Sequence, residues 1–382
     1  MPTSFPRFKA SGNWPRAYGG RRATLRQETS GANVCKTLIL GAKQHKVARM
    51  SPAQNAKSIV QDHYAALANA TPDTVAEVLG VRMAPDGIWR GVHPFNTQTG
   101  PAAAADVFWA PFLRSFSSVQ RREDIFFAAQ NSIHDKTFVW TCSMGHLMGL
   151  FDAPFLGIPA TQKIAMLRYA EFNRVEEGRI VETAFFCDIL HMMAQAGVRP
   201  FAHQTAAHLV QPGPRTHDGV LLQAHDPAEG AKTLHLINRM IGSIDAANTA
   251  PKSLTPREEM QENWHDDMLW WGPEGIGATY TIERYIAQHQ QPFRKGMANR
   301  AFNGHLCRMA EGQYGAFFGW PNLTLTNNNG FMGLPPCQTR VDMRVVDVYR
   351  REGDKLAENW VFIDMLHFLK MQGVDVLADL KG

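Results

Sequence analysis

The chain says nearly the same thing twice, at a spacing that rules out a small repeat unit. Residues 157–198 lie over 333–374 without a gap at an offset of 176, and 13 of 42 positions are identical. Gly157-Ile-Pro159 falls on Gly333-Leu-Pro335, Arg168 on Arg344, Arg174 on Arg350, and Glu182 on Glu358. Asp188-Ile-Leu-His191 falls on Asp364-Met-Leu-His367, and Gly197-Val198 on Gly373-Val374. An upstream stretch matches at an offset of 181: Asp86-Gly-Ile-Trp89-Arg-Gly91 on Asp267-Met-Leu-Trp270-Trp-Gly272, then Pro111-Phe112 on Pro292-Phe293. The offsets differ by five residues, so one loop of the first copy is longer. A period this long belongs to a duplicated domain and not to a solenoid. Both halves are expected to share one fold.

At 382 residues the chain suits two domains of ordinary size. With 45% hydrophobic and 19% charged residues it reads as globular. No apolar run approaches the roughly 18 residues that span a bilayer, so no membrane partner is expected. The five cysteines (35, 142, 187, 307, 337) form no CxxC pair and read as reduced thiols of a cytoplasmic protein. The net charge of +4 misleads: residues 1–49 carry ten Lys/Arg and one acid, which leaves −5 for the rest. The folded body is therefore not expected to bind nucleic acid. Residues 1–49 read as a basic tail outside the fold, or as a leader with a role of its own.

Ser51-Pro52 opens a helix whose apolar face carries Ile59, Val60, His63 and Leu67. A second helix is expected over 102–114, strands near 122–129, 137–144, 164–174 and 179–186, and a short helix from Ile189 to Gly197. The second half repeats the order: helices over 229–248, from Thr255-Pro256 and over 279–290; strands near 303–310, 314–320, 339–351 and 355–362; a closing helix to Gln372. This assigns 50–200 to a first domain, 201–227 to a linker and 228–382 to a second domain. The linker histidines match no zinc spacing, and no metal is expected. The fold class is α+β, a curved antiparallel sheet wrapped on helices, and such a cup can hold a small ligand.

These features resemble the SnoaL-like polyketide cyclase family, of the nuclear-transport-factor-2-like superfamily. Three stretches carry the resemblance: Gly145-His-Leu-Met-Gly149 leading to Phe155–Thr161, with Phe331–Pro336 as counterpart; Glu177–Glu182 with Gly353–Glu358; and the Asp-x-Leu-His…Gly-Val ending. The resemblance implies two tandem cone-shaped half-barrels, packed as an intramolecular pseudo-dimer, each with a cavity between helices and sheet. Family cyclases close rings with a histidine and an aspartate on the last strands. Residue by residue, the histidine position becomes Glu171 and Asp347, and the aspartate position Phe185 and Val361. Neither half keeps the pair.

Strand alternation puts Asp347 on one face with Val345, Tyr349 and Val361, opposite Asn359 if 352–354 is the hairpin loop. A carboxylate against an apolar wall has its pKa raised, which suits a general acid or base. Glu171 is the first half's equivalent. Arg344 and Arg168 lie diagonal to Asp364 and Asp188, each at an N-cap position, which reads as a structural device. The second half also gathers Trp270-Trp271, His289, Arg294, His305, Arg308, Glu311 and Trp320, the types a pocket for a polar-decorated ring needs. His289 and His305 are candidates for acid–base work near neutral pH. His146 and His93 are the first half's options. No phosphate-binding glycine loop or GxSxG elbow is present, and no cofactor is expected. The sequence thus points to a cofactor-independent acid–base enzyme (cyclase, isomerase, hydratase or hydrolase) acting on a small, partly hydrophobic carbonyl compound or ester. The alternative is a non-catalytic small-molecule-binding protein of the same fold. Further homo-oligomerisation stays open.

Overall fold

The computed structural model describes residues 50–380 apart from 135, 202–203, 250–253 and 379. The basic tail, 1–49, lies outside the described residues. From residue 50 the chain runs α1 (Pro52–Leu67), α2 (Val75–Arg82), β1 (Met83–Gly91), β2 (Thr97–Thr99) and α3 (Pro101–Ala104). A π-helical stretch, Ala105–Trp109, joins α3 to α4 (Ala110–Ser115). Then come β3 (Phe116–Gln130), β4 (Val139–Phe151), β5 (Ile164–Glu176), β6 (Arg179–Cys187) and α5 (Ile189–Gln195). After the linker follow α6 (Pro227–Thr249), α7 (Pro256–Gln261), β7 (Trp264–Trp271), β8 (Ala278–Tyr280) and α8 (Ile282–Tyr285). A second π-helical stretch, Ile286–Gln290, leads into α9 (Gln291–Gly296). The chain closes with β9 (Met297–Phe302), β10 (Cys307–Glu311), β11 (Tyr314–Asn327), β12 (Arg340–Glu352), β13 (Lys355–Ile363) and α10 (Met365–Met371). No described helix is long and apolar enough to cross a membrane.

The strands form two separate sheets of one order, β2-β1-β6-β5-β4-β3 and β8-β7-β13-β12-β11-β10, with β9 added to β11. Pairing is antiparallel except where β1 meets β6 and β7 meets β13. The offsets seen in sequence hold in the pairing register. Tyr169 pairs Cys187 as Val345 pairs Ile363, and both hairpins slip between Arg174/Val175 and Arg350/Arg351. Two-residue loops close them, with Gly178 at φ +82° and Gly353 at φ +60°, values glycine adopts without a Cβ clash. Both π-helical stretches stand just before a proline, Pro111 and Pro292, and the wider turn accommodates the missing N–H. At the ends, Ser51 caps α1 by accepting from the Gln54 amide at 3.2 Å, and Thr255 with Glu258 forms a capping box on α7.

Several expectations need correction. The loop is Gly353-Asp354 and not 352–354, and the slip adds a second residue of shift, so Asp347 pairs with Val361, and Asn359 with Tyr349. The helix expected over 279–290 begins at Ile282, after β8, and runs on to Gly296 because the π-helical turn carries it past Pro292. Of the strand expected over 303–310 only the part from Cys307 is strand, as β10; residues 303–306 are a break, and β9 lies before them. The stretch 83–91, used only as a repeat anchor, is a full strand lying parallel to β6.

Buried contacts join residues of the first half to residues of the second. Asp188 caps α5 by accepting from the His191 amide at 2.9 Å, and its other oxygen accepts from the Glu274 amide at 2.9 Å. Asp364 caps α10 through the His367 amide at 3.2 Å and accepts from the His93 amide at 3.0 Å. Under the two offsets these are the same contact in both directions, since Asp188 falls on Asp364 and His93 on Glu274. Arg344 also binds Asp364, at 3.0 Å. Arg168 reaches across instead: it donates to the carbonyls of Val361 and Trp271 at 3.0 Å each and lies 3.9 Å over the Phe362 ring. Phe318 packs against Trp140, Phe172 and Phe186. The edge strands β3 and β10 also meet, where Ser132 bonds the Arg308 carbonyl.

Arg168 is 2% exposed, so removing its guanidinium orphans two buried carbonyls. Arg168→Met is expected to lower the unfolding free energy by about 3 kcal/mol in urea titrations. A loss below about 1 kcal/mol would show that these bonds do not hold the halves together.

Candidate functional site

A cavity of about 340 Å³ lies within the second half, between α6, the helical run from Tyr285 to Arg294, and β12 and β13. Its walls are mostly apolar: Met240, Ile241, Trp264, Trp270, Phe293, Phe302, Phe317, Leu323, Met343, Val345, Val361 and Ile363. Polar groups also line it: Asp347, Tyr349 and Asn359 from the strands, Tyr285, His289, Gln290 and Arg294 from the helical run, and Ser243, Glu259, Asn263 and Arg300 from beside it. Alternation along β12 and β13 sends 345, 347, 349, 359, 361 and 363 to this face. Helical spacing brings Tyr285, His289 and Phe293 to one stripe.

Asp347 is the chemical centre of the cavity. Asn359 Nδ2 donates to its Oδ1 at 3.2 Å, and the Tyr349 hydroxyl bonds it as well. Protein surrounds the carboxyl, and burial pushes its pKa up to about 6 despite these two donors. It therefore exchanges its proton close to neutral pH. His289 stacks on Trp270 with ring centroids 4.0 Å apart, and its Nδ1 is buried with no hydrogen-bond partner. Burial pushes its pKa down to about 3, so the ring is neutral and offers a hydrogen bond, not a charge. The acid–base role expected of it is corrected accordingly. Arg294 is bound by both oxygens of Glu259, at 2.6 and 3.1 Å. Arg300 donates to the carbonyls of Arg294 and Met297.

The other sequence candidates lie elsewhere. His305 stacks behind Phe317 at 3.9 Å, takes a bond from Arg308 at 3.0 Å, and is pushed to about 3 by burial. Arg308 also binds Asn238 at 2.8 Å, away from the cavity lining. Glu311 faces the first half, where it pairs with Lys57 at 2.6 Å and accepts from the Ala128 amide. Trp320 packs against Phe186 and under Arg344. Trp271 offers its carbonyl to Arg168. His146 stands 3.5 Å from Asp124, and its Nε2 is buried without a partner. The sequence reading missed Tyr285 and Glu259. The i, i+4 spacing to His289 was a usable signal for Tyr285; Glu259 carries none.

In the first half the matching positions hold bulk. Tyr169 stands where Val345 does, Phe185 where Val361 does, and Phe108 where His289 does. Phe108 and Phe185 meet with ring centroids at 4.8 Å, and Phe185 stacks on Tyr169 at 6.1 Å. Arg121 lies 3.7 Å over Tyr64 and 4.6 Å over Tyr169, and binds Glu171 at 2.9 Å. Glu171, the expected counterpart of Asp347, is thus an ion-paired carboxylate inside a filled core.

No protein-family model and no curated protein matches the chain. Among solved structures it is similar to a nuclear-transport-factor-2-like protein of Burkholderia xenovorans, at 11% identity over 37% of this chain and 97% of that one, TM-score 0.30. It is similar to a candidate SnoaL-like polyketide cyclase of a Jannaschia species, at 18% identity over 40% of this chain and 99% of that one, TM-score 0.30. It is also similar to IdmH, a candidate polyketide cyclase of Streptomyces antibioticus, at 17% identity over 36% of this chain and 98% of that one, TM-score 0.29. Each of these solved chains is matched almost whole by little more than a third of this one, and the likeness assigns neither substrate nor reaction.

Proposed function

We propose that the chain is two tandem SnoaL-like half-barrels joined as an intramolecular pseudo-dimer, and that its second cavity is the active site of a cofactor-independent acid–base enzyme. The equal strand orders, the shared register slip and the reciprocal aspartate contacts support the tandem reading. The observation that carries the activity is a carboxyl poised near pH 6 in an apolar cavity. Asp347 as carboxylate takes a proton from carbon or water beside the substrate carbonyl. Tyr349 and Asn359 fix its orientation. Neutral His289, stacked on Trp270, forms part of the wall beside it.

The charge balance narrows the guest. Arg294 is already committed to Glu259 and Arg300 to the carbonyls of Arg294 and Met297, and an anionic guest would meet the Asp347 carboxylate. The cavity suits a neutral, largely apolar ring compound carrying one or two carbonyl or ester oxygens. Cyclisation, isomerisation, hydration and hydrolysis all fit such a site.

A panel of neutral cyclic ketones, lactones and aromatic esters, with the matching acids, tests this by thermal shift and then by mass spectrometry for product. Neutral members are expected to stabilise the protein and turn over, and Asp347→Asn is expected to lower kcat by at least about 100-fold. Binding without product, unaltered in that variant, would make the protein a binding module. Preferential binding of the acids would overturn the neutral-guest reading.

As a base, Asp347 must be ionised, so kcat/KM is expected to rise as pH passes through about 6 and level off above it. The stability linkage runs the other way. The folded pKa lies above the ordinary value of 3.8, so the folded state holds the extra proton and stability falls as pH rises between the two. Relative to wild type, Asp347→Asn should therefore gain up to about 3 kcal/mol between acid and pH 7.5 in denaturant titrations. No pH dependence of that difference would mean the carboxyl is not poised.

Val361→Phe restores the first half's residue. It is expected to close the cavity and abolish ligand-induced stabilisation, while changing the unfolding free energy by less than about 2 kcal/mol. Undiminished ligand binding in this variant would place the site elsewhere.

A further inference from the structure

A cluster outside the cavity offers a different chemistry. His191 lies on α5, at the end of the first half. His208 lies in the linker, and Glu274 in the loop after β7. His208 Nδ1 and a Glu274 oxygen are 2.6 Å apart, and the two imidazole rings face each other with centroids at 5.4 Å. One donor atom from each of the three residues falls within 4.8 Å of the other two. His191 is 3% exposed, and its Nε2 has no hydrogen-bond partner. A buried ring nitrogen left unpaired costs about 1–3 kcal/mol unless something answers it.

The backbone already sets two of the three donors. One oxygen of Asp188 accepts from the His191 amide and the other from the Glu274 amide, each at 2.9 Å. A single buried carboxylate thus pins both donor-bearing residues and adds negative charge beside them. The third donor sits on a linker tied down by the Ala207–Ala278 bridge, and its side chain is 31% exposed, so it can swing.

We propose that His191, His208 and Glu274 bind a divalent transition-metal ion of the zinc class, leaving a fourth position to water. Two imidazoles and one carboxylate are a donor set zinc favours, at about 2.0–2.2 Å per bond. Tetrahedral geometry requires the 2.6 Å His208–Glu274 contact to open and the 4.8 Å spread to contract, both by side-chain rotation. Coordination through Nε2 moves the His191 ring proton to Nδ1 and releases its 3.2 Å contact with Gln195. The ion would clamp the linker onto both halves. The opposite junction serves as an internal control. There His93 and His367 stand where Glu274 and His191 do, so the carboxylate is missing.

The test uses the full chain, stripped with chelator and then titrated with zinc sulfate. The expected result is one zinc per chain retained through gel filtration, and a Tm raised by at least about 3 °C. Cobalt(II) in place of zinc should show the visible bands of a low-symmetry site. His208→Asn and Glu274→Gln keep the side chains close in size and polar, and each should weaken zinc binding by at least about 100-fold and abolish the cobalt bands. His93→Asn should leave both intact. No retained zinc at tens of micromolar, or one equivalent that survives both His208→Asn and Glu274→Gln, would overturn the proposal.

Discussion

Two buried aspartates, Asp188 and Asp364, fix most of what the rest of the molecule can do. Each ends the last strand of its sheet, caps the helix that follows, and accepts an amide from a loop of the other half. A carboxylate this deep is tolerable only when its oxygens are answered. The strain is visible at Asp364, which burial pushes up to about 6 even with Arg344 beside it. Sliding one half against the other by an ångström would leave both carboxylates short of donors. The contact therefore acts as a register pin more than as glue. It couples the end of each sheet to the partner's loop after the first strand.

The difference between the halves follows from side-chain volume on a shared backbone. The pairing registers agree, slip included, yet one interior is filled and the other holds a cavity. Replacing Tyr169 and Phe185 by Val345 and Val361 removes two rings from one wall. One of the two, Tyr169, is also one of the aromatic faces between which Arg121 sits. With the guanidinium gone, the wall carboxylate loses its partner, and Asp347 holds its proton near neutrality where Glu171 is ion-paired. The steric change and the electrostatic change are thus one event.

Much of this was legible in the residues. The offsets of 176 and 181 are matched by two sheets of one strand order, and the alternation around Asp347 foretold which side chains share its face. The slip at Arg350 was not legible, because a one-residue bulge leaves no trace in composition; together with a loop of two residues instead of three, it moved the partner of Asp347 from Asn359 to Val361. Trp320, Glu311 and Arg308 read as pocket residues because aromatic and charged types suit a pocket and an interface equally. Only their placement between the halves tells the two apart. The trio His191, His208 and Glu274 comes from three separate segments, so no spacing could reveal it.

The filled half still shapes the cavity of the other. Val361 turns its side chain into the cavity, and Arg168 of the first half holds its carbonyl at 3.0 Å. The next residue, Phe362, lies under the same guanidinium. Alternation makes these outward contacts the reverse side of the cavity wall. An apolar cavity of this size tends to collapse unless its walls are braced, since its lining forfeits contacts on one side. Arg168 supplies a brace at the strand that carries Asn359, Val361 and Ile363. A half that packs solidly and presents a rigid outer face therefore suits that scaffolding task better than a second hollow one would.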